Sequence, residues 1–135
     1  MNEEQPQSIL LTGGSGHLGR ALIRRNPGMI APSSSEMDIT DFDQVDQTIR
    51  SINPQIILHA AAVVGRKECD DDPERAIKVN VSGTQNLVRA CEKLNKKLVF
   101  ISTPAIFDGT KGLYTEENFA SPAYFYGETK LRAEM

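Results

Sequence analysis

Two residues near the end of the chain have types and a spacing that suit proton transfer. Tyr126 and Lys130 stand four apart in the stretch YGETK, and a helix would place both on one face. A free tyrosine, with a pKa of about 10, keeps its proton at neutral pH. A lysine ammonium nearby would lower that pKa, so the pair could give a proton to a ketone during its reduction. The hydroxyl of Thr103 could hydrogen-bond the carbonyl oxygen as negative charge develops there.

The same pair has an alternative interpretation that needs no function. Tyr-x-x-x-Lys occurs by chance in many helices, where the tyrosine is half-buried and the lysine is exposed. Whether the two residues form a proton-transfer pair therefore depends on the segments that precede them.

A glycine-rich turn early in the chain predicts a phosphate-binding site. The apolar run SILLT is typical of a buried strand, and TGGSGHLG then leads into a helix. Gly13 would allow the sharp turn, Gly16 the close approach of a pyrophosphate, and Gly19 close packing of helix on sheet. N–H groups at the start of the helix would face the phosphates. The spacing G-x-x-G-x-x-G matches the general dinucleotide fingerprint only loosely, so a plain turn is the alternative.

Strands and helices alternate along the chain. Apolar runs predict strands at SILLT, MIAP, EMDIT, QIILHAAA and KLVFIS. This alternation predicts an α/β fold, a three-layer doubly wound parallel sheet (Rossmann) of about five strands in the order 3-2-1-4-5.

The helices between these strands have recognisable starts. Asp41 predicts the N-cap of a helix that ends near Ile52, and Asp72 followed by Pro73 predicts the start of a long helix. A last helix is expected to begin near Tyr124 or Tyr126. Charged residues at 65–72 and a Gly/Thr/Glu-rich stretch at about 108–122 predict loops.

Composition narrows the class of protein. The 135 residues are 39% hydrophobic and 24% charged, which suits one globular domain over residues 8–135 behind a disordered tail at 1–7. A net charge of −3 argues against a nucleic-acid partner, and the apolar runs are too short for a membrane span. The acidic start MNEEQPQ does not resemble a signal peptide. Cys69 and Cys91 lack metal or redox spacing, so we expect reduced structural thiols, no metal site and a cytoplasmic protein.

Several motifs in order carry a family resemblance. TGGSGHLG opens the first strand–helix unit, HAAA ends the fourth predicted strand, and YGETK follows a strand that ends in ST. The sequence resembles the extended short-chain dehydrogenase/reductases. Within them it looks most like the dTDP-4-dehydrorhamnose reductase branch, which also includes the regulatory beta subunit of methionine adenosyltransferase. The likeness runs from about Ser8 to the last residue and extends to EMDITD, NPQIILHAAAV, AIKVNVSGTQNL, FISTPAIFDG and LYTEENFASPAYFYGETKLRAE.

The resemblance implies an NAD(P)-dependent oxidoreductase that reduces a 4-keto nucleotide sugar, with Thr103, Tyr126 and Lys130 as catalytic residues. It implies adenine contacts from Asp38 and Ile39, and ribose and nicotinamide contacts from the alanines that end the fourth strand. The implied cofactor-binding residues are Gly13, Ser15, Gly16, His17, Leu18, Gly19, Ser33, Ser34, Asp38, Ile39, Ala60, Ala61, Ala62 and Lys130. Asn80 matches an asparagine of the family, and for it we expect a structural role. The alternative is a non-catalytic nucleotide-binding module, like the beta subunit.

Two stretches depart from the family pattern. PSSS, which follows the second predicted strand, has no carboxylate, and Ser33 or Ser34 could donate to a 2′-phosphate, so the cofactor choice between NADP(H) and NAD(H) leans to NADP(H). STPAIF stands where related reductases read STDYVF, so a substrate contact is expected to be lost.

Length is the largest departure. Family members run to about twice this length, so we expect a chain truncated after the YxxxK motif, without its substrate domain and weakly active or inactive by itself. KLVFIS would then be an unpaired sheet edge, which predicts a homodimer or a partner that covers this edge.

Overall fold

The computed structural model describes residues 8–135, so the tail predicted at residues 1–7 lies outside the described residues. The chain divides into two compact units, and it passes between them after Ala61, Ser82 and Ile101. The first unit contains the described residues through Ala61 together with Gly83–Ile101. The second contains Ala62–Ser82 and Ser102–Met135. The single domain over residues 8–135 remains a prediction.

The first unit is built on a parallel sheet of three strands. They are β1 (Ile9–Thr12), β2 (Ile56–His59) and β3 (Lys97–Phe100), in that order across the sheet. The register pairs Ile9 with Ile56 and Ile56 with Lys97. These strands are the first, fourth and fifth that the sequence predicts, so an α/β Rossmann-like fold is confirmed.

The predicted count of five strands is wrong, and the order 3-2-1-4-5 is not confirmed. MIAP is reduced to one bridge between Ile30 and Leu10, because Pro32 follows at once and has no N–H for a ladder. EMDIT forms turns instead of a strand. The Asp38 carboxylate accepts from the N–H and the hydroxyl of Thr40, both at 2.8 Å, and this side-chain bonding competes with pairing.

Three helices complete the first unit: α1 (His17–Arg25), α2 (Phe42–Ile52) and, later in the chain, α5 (Thr84–Leu94). The predicted cap of α2 is confirmed, since the Asp41 carboxylate accepts from the backbone N–H groups of Asp43 and Gln44. Helix α2 packs against α5. The core consists of side chains with no exposed surface from both strands and helices: Leu10, Leu11, Val45, Ile49, Ile57 and Leu87.

The second unit is mainly helical. It contains α3 (Arg66–Asp71), α4 (Pro73–Ile77), most of a π-helical segment (Lys78–Gly83), a 3-10 turn (Pro104–Ile106) and α6 (Phe125–Glu134). The loop predicted at residues 65–72 is therefore wrong where α3 forms. Helix α3 hides Cys69, which is fully buried with Val63 and Ala76 against Phe125 and Tyr126. Tertiary packing thus holds a helix whose other side chains are charged and exposed.

The remaining helix expectations hold with one refinement. The Asp72 side chain accepts from the N–H of Arg75, and Pro73 takes the first helical position as predicted. The long helix expected after it is continuous but widens into the π-helical segment before α5. Helix α6 begins at Phe125, within the predicted range, after the expected loop. No helix formed by residues 8–135 is long and apolar enough to span a bilayer.

Candidate functional site

The glycine turn closes the end of β1 in the first unit. Gly13 has φ +78°, and a Cβ there would lie 2.7 Å from the backbone nitrogen of Ala61 and 2.8 Å from the carbonyl carbon of Ala60. Only glycine fits this crossing. The turn is fastened by the N–H of Gly16, which donates to the carbonyl of Gly13 at 3.1 Å, and α1 then begins at His17.

The other two glycines of the motif differ in what surrounds them. A Cβ at Gly19 would lie 2.2 Å from the Gly13 carbonyl oxygen, so this position needs glycine for packing. A Cβ at Gly16 would have its nearest neighbour, the same oxygen, at 3.4 Å, an ordinary contact. The protein itself therefore leaves room for another group beside Gly16. The N-terminus of α1, which begins at the next residue, has no side-chain cap and no acidic residue in its first turn. An open, electropositive helix start of this kind fits a pyrophosphate.

The residues predicted beside the phosphates stand around this opening. Ser15, Gly16, His17 and Leu18 are exposed, while Gly19 is buried under the turn. Leu18 keeps 45% of its surface accessible, although it belongs to an amphipathic helix. The side chains of this stretch thus leave the start of α1 open to solvent, while the N–H of Gly16 itself bonds to the carbonyl of Gly13.

A buried hydrogen-bond network supports the turn from below. Oγ1 of Thr12 lies 2.7 Å from Nδ1 of His59, whose Nε2 lies 2.9 Å from Oγ1 of Thr84. The backbone N–H of Ala61 donates to the same Thr12 hydroxyl at 3.2 Å. The network fixes the ends of β1 and β2 relative to each other. Of the three alanines predicted to line the ribose, Ala60 and Ala61 thus stand at this strand end and Ala62 begins the second unit.

The serines predicted to meet a 2′-phosphate are exposed, but Ser33 is already engaged. Its N–H and its hydroxyl both donate to Oε2 of Glu36, at 2.7 and 2.8 Å. These two bonds hold the pKa of the Glu36 carboxyl below its ordinary value. The stretch PSSS itself lacks a carboxylate. In the folded chain, however, the Glu36 carboxylate contacts Ser33, which lies three residues earlier.

Of the residues predicted beside the adenine, Asp38 is partly buried and Ile39 is buried, with 8% of its surface accessible. The Asp38 carboxylate faces its own turn, where it accepts from Thr40. Ile39 fills the space that the missing side chain of Gly83 leaves, and its carbonyl accepts from Nδ2 of Asn86 at 2.9 Å. The structure therefore gives both residues internal contacts.

The second unit brings the predicted catalytic residues together on α6 and the 3-10 turn. Tyr126 and Lys130 lie one helical turn apart on α6, and the hydroxyl of Thr103 hydrogen-bonds the Tyr126 side chain. Burial raises the pKa of Tyr126, the bond from Thr103 lowers it, and Cys69 raises it further. The predicted lowering of this pKa by Lys130 is therefore not found, because removal of the phenolate from water outweighs the favourable contacts.

Lys130 is buried, contrary to the alternative interpretation of an exposed lysine. Only 4% of its surface is accessible. Burial lowers the pKa of its ammonium group to about 8, and the carboxylate of Glu134 acts in the opposite direction. Glu134 also accepts from the hydroxyl of Ser102. A buried lysine whose pKa is lowered in this way is typical of functional sites.

Asn80 ties α6 to the rest of the second unit. Its Oδ1 accepts from the N–H of Val63 at 2.8 Å, and its Nδ2 donates to the carbonyl of Val63 and to Oγ1 of Thr129, both at 3.0 Å. The Thr129 hydroxyl in turn donates to the carbonyl of Tyr126 at 2.7 Å. The structural role expected for Asn80 is confirmed by these bonds.

Sequence reasoning missed several residues that shape the site. Gly127 is one, since a Cβ there would lie 2.0 Å from the carbonyl oxygen of Ala105. That contact packs α6 against the 3-10 turn. The residue that caps this turn, Thr103, interacts with Tyr126. Gly127 and Thr129 both lie within the YGETK motif, so the motif itself could have identified them. Glu36 and His59 act through side-chain bonds that only the folded chain reveals.

Two cavities are also found among the described residues. One, of about 260 Å³, is lined mainly by polar side chains of the loop after the 3-10 turn, among them Asp108, Tyr114 and Asn118. The other, of about 490 Å³, is an open groove between Ile30–Pro32 and the C-terminal half of α2, with Glu36 at its border. Within residues 8–135, no group of three or more potential metal ligands is found.

Comparison with known proteins gives a consistent result. The family described as RmlD substrate binding domain matches residues 7–135. The chain is 35% identical over 132 residues to dTDP-4-dehydrorhamnose reductase of Aggregatibacter actinomycetemcomitans, a match that covers 93% of this chain and 45% of that protein. It is 31% identical over 137 residues to methionine adenosyltransferase 2 subunit beta of Rattus norvegicus, covering 93% and 41% respectively.

Solved structures give the same likeness. dTDP-4-dehydrorhamnose reductase from Bacillus anthracis, in complex with NADP, superposes with a TM-score of 0.90 at 30% identity and covers 96% of this chain and 48% of that one. A hypothetical dTDP-4-dehydrorhamnose reductase from Sulfolobus tokodaii has a TM-score of 0.86 at 36% identity, with 94% and 50% covered. The chain thus spans half or less of the length of the proteins it matches.

Proposed function

Because the chain belongs to the RmlD substrate binding domain family, we propose that it carries the nucleotide-binding and proton-donating parts of an NAD(P)-dependent reductase that acts on a 4-keto nucleotide sugar. The observation that carries this proposal is the group on α6 and the 3-10 turn. There the Tyr126 side chain is hydrogen-bonded by Thr103, and Lys130 is buried one turn further on.

The glycine turn of the first unit supports a dinucleotide as cofactor. The open helix start at Gly16 fits the pyrophosphate, and the closed contacts of Gly13 and Gly19 hold the turn in shape. A relative with NADP bound and another solved relative, UDP-glucose 4-epimerase of Thermus thermophilus with NAD bound, leave both NADP(H) and NAD(H) as candidates. Bound in reduced form, this cofactor supplies the hydride that reaches the substrate carbon.

The residues of the second unit supply the proton. The raised pKa keeps Tyr126 protonated at neutral pH, so its hydroxyl can protonate the carbonyl oxygen as the ketone is reduced. The Thr103 hydroxyl stabilises the negative charge on that oxygen or on the phenolate. Lys130, with a pKa of about 8, is mostly protonated at neutral pH and stabilises the phenolate that remains.

Two further parts of the proposal concern a partner of the protein and its cellular compartment. Within the described sheet β3 pairs only with β2, and Val99 keeps 37% of its surface exposed, which favours a second copy or a partner protein along this edge. Cys69 and Cys91 are both buried and free, and burial raises the pKa of each thiol, to about 11 for Cys91. Unreactive free thiols suit the cytoplasm.

Hydride transfer tests the proposal. Oxidation of NADPH and of NADH is followed with a 4-keto deoxy-sugar nucleotide, in the 135-residue chain and in any longer reading frame that continues past Met135. Lys130→Met should abolish turnover and weaken cofactor binding only modestly, while Lys67→Met, at a side chain with 81% exposure, should leave turnover unchanged. Equal turnover in the Lys130 variant and the wild type would disprove the catalytic assignment.

A non-catalytic, regulatory role is the second candidate. Methionine adenosyltransferase 2 subunit beta is 31% identical to this chain, close to the 33% of the dTDP-4-dehydrorhamnose reductase of Streptomyces griseus. The 3-10 turn also carries Pro104 and Ala105, which offer a substrate no polar side chain. Cofactor binding without turnover, also in the product of any longer reading frame, and unchanged binding in Lys130→Met, would favour this role over the reductase.

A further inference from the structure

Two neighbouring hydroxyl groups hold α6 near its two ends. The Thr103 hydroxyl hydrogen-bonds the side chain of Tyr126, in the first turn of the helix. The hydroxyl of Ser102 donates to Oε1 of Glu134, the last residue of the helix. All four residues belong to the second unit. We call the bond between Ser102 and Glu134 the acidic anchor, because it fixes the segment before the 3-10 turn to the end of α6.

Glu134 also lies on the helix face that carries the proposed chemistry. Residues four apart on a helix share a face, so Tyr126, Lys130 and Glu134 follow one another along α6. Lys130 is buried, with 4% of its surface accessible, whereas Glu134 is exposed. The face thus runs from the proton donor through a buried ammonium group to an exposed carboxylate.

The acidic anchor determines how strongly this carboxylate can act on Lys130. An exposed glutamate without a partner samples many rotamers, and water and salt screen its charge. The bond from Ser102 restricts the Glu134 side chain to one arrangement. In that arrangement its charge raises the pKa of Lys130, against the larger lowering that burial causes.

The elements packed against α6 add neutral groups around the same face. Helix α3 contributes Cys69 and helix α4 contributes Ala76 to the cluster beside Tyr126, and Thr103 precedes the 3-10 turn. Burial raises the pKa of the Cys69 thiol, so this group is uncharged at neutral pH. Among these named groups, Glu134 is therefore the one that supplies negative charge.

From this arrangement we infer that Glu134 is a positioning residue for proton transfer, which keeps Lys130 charged and, through Ser102, keeps Thr103 close to Tyr126. The inference rests on the proposed function, since it concerns the residues of that same site. A charged Lys130 stabilises the phenolate that remains after Tyr126 has given up its proton. Glu134 acts through Lys130 and through the segment that carries Thr103.

The test measures the pKa of Lys130 in the full 135-residue chain. NMR of protein labelled with ¹³C at the lysine Cε follows the titration, and the Lys130 signal is identified by its absence in Lys130→Met. The wild-type pKa should be about 8. Glu134→Gln keeps an acceptor for Ser102 and removes the charge, so Lys130 should lose its proton at a lower pH than in the wild type.

Glu128→Gln is the matched control. Glu128 lies on the same helix, but its carboxylate accepts from Arg132, and its side chain is 44% exposed. Removal of this charge should leave the pKa of Lys130 unchanged.

Ser102→Ala separates the anchor from the charge. This variant leaves Glu134 ionised but frees its side chain, so the pKa of Lys130 should again fall below the wild-type value. In the Glu134→Gln background the same change should have no further effect on that pKa, because the charge that Ser102 holds is already gone. A purely structural contact would give equal changes in both backgrounds.

Three results would overturn the inference in variants that circular dichroism shows to be folded. They are an unchanged pKa of Lys130 in Glu134→Gln, an equal fall in Glu128→Gln, and an effect of Ser102→Ala that is the same in both backgrounds. The titration needs neither cofactor nor substrate. Failure of the proposed function, seen as a wild type that binds neither cofactor, is thus distinguishable from failure of this inference.

Discussion

Nδ2 of Asn80 donates a hydrogen bond of 3.0 Å to Oγ1 of Thr129, and the Thr129 hydroxyl donates onward to the carbonyl of Tyr126. The bond joins the π-helical segment to the helix that carries the proton-donating tyrosine. Both partners are buried, Asn80 with 1% and Thr129 with 0% of their surface exposed. Loss of either group would leave a polar atom in the interior without its partner.

Thr129→Val keeps the side-chain volume and removes the hydroxyl, so the Asn80 amide loses an acceptor in the interior. We expect the free energy of unfolding to fall by about 1–3 kcal/mol, the cost of a buried unsatisfied polar group. Urea denaturation measures this difference. Thr115→Val, at an exposed position of the same unit, is the control, and equal stabilities of the two variants would contradict the predicted role.

Gly127→Ala tests the close approach of α6 to the 3-10 turn. The added Cβ would meet the Ala105 carbonyl oxygen at 2.0 Å, a backbone atom that can move only with the whole turn. We expect a loss of about 1–3 kcal/mol in unfolding free energy, as overpacking usually causes. Gly28→Ala, where a Cβ would meet no atom within 4 Å, should have little effect. Thermal unfolding that shifts equally in both variants would disprove the close contact.

The burial of Lys130 predicts a specific dependence of stability on pH. The ammonium has a pKa of about 8 in the folded chain and its ordinary, higher value when unfolded. The unfolded chain therefore holds more protons between these values, and stability rises with pH across that range. Below pH 8 the full penalty is present, about 3 kcal/mol.

Lys130→Met removes this penalty. The variant should be more stable than the wild type at pH 7, and the difference should shrink by pH 9.5. Chemical denaturation at both values measures it, with Lys67→Met as the exposed control. A difference that stays constant between the two pH values would show that the folded pKa of Lys130 is not depressed.

The sequence predicted those parts of the fold that local chemistry determines. Asp41 and Asp72 cap their helices as expected, because a cap needs only an acceptor and the next few N–H groups. The strands that end at Thr12 and at His59 were recognisable as continuous apolar runs. The predicted strand at MIAP is limited to one bridge because Pro32 lacks an N–H, and EMDIT forms turns in which the side chains of Glu36 and Asp38 bond to nearby residues.

The candidate site likewise has parts that the sequence predicts and parts that it does not. The glycine turn and the pair Tyr126 and Lys130 were predictable, because a motif and a helical spacing specify them. The pKa of Tyr126 was not, since it depends on how far the ring is buried among Val63, Cys69 and Ala76, which come from distant parts of the sequence. Helix α3 was missed for the same reason, because burial of Cys69, and no apolar periodicity, holds it in place.

Gly16→Ala separates the binding role of the glycine turn from its structural role. A Cβ at Gly16 has an ordinary contact at 3.4 Å and so should leave stability nearly unchanged, but it would occupy the space where a pyrophosphate approaches. We expect the affinity for NADH to fall by about tenfold or more. Gly19→Ala, with its contact at 2.2 Å, should instead destabilise the fold. Unchanged affinity in a folded Gly16 variant would exclude a pyrophosphate at this turn.

This chain is proposed to retain a dinucleotide-binding site at its glycine turn. Titration of the pure wild-type chain with NADH and with NADPH, followed by calorimetry, tests it most directly. We expect saturable binding of at least one of the two cofactors, at one site per chain, at concentrations below the millimolar range. No detectable binding of either cofactor at millimolar concentration, by a chain that circular dichroism shows to be folded, would contradict it.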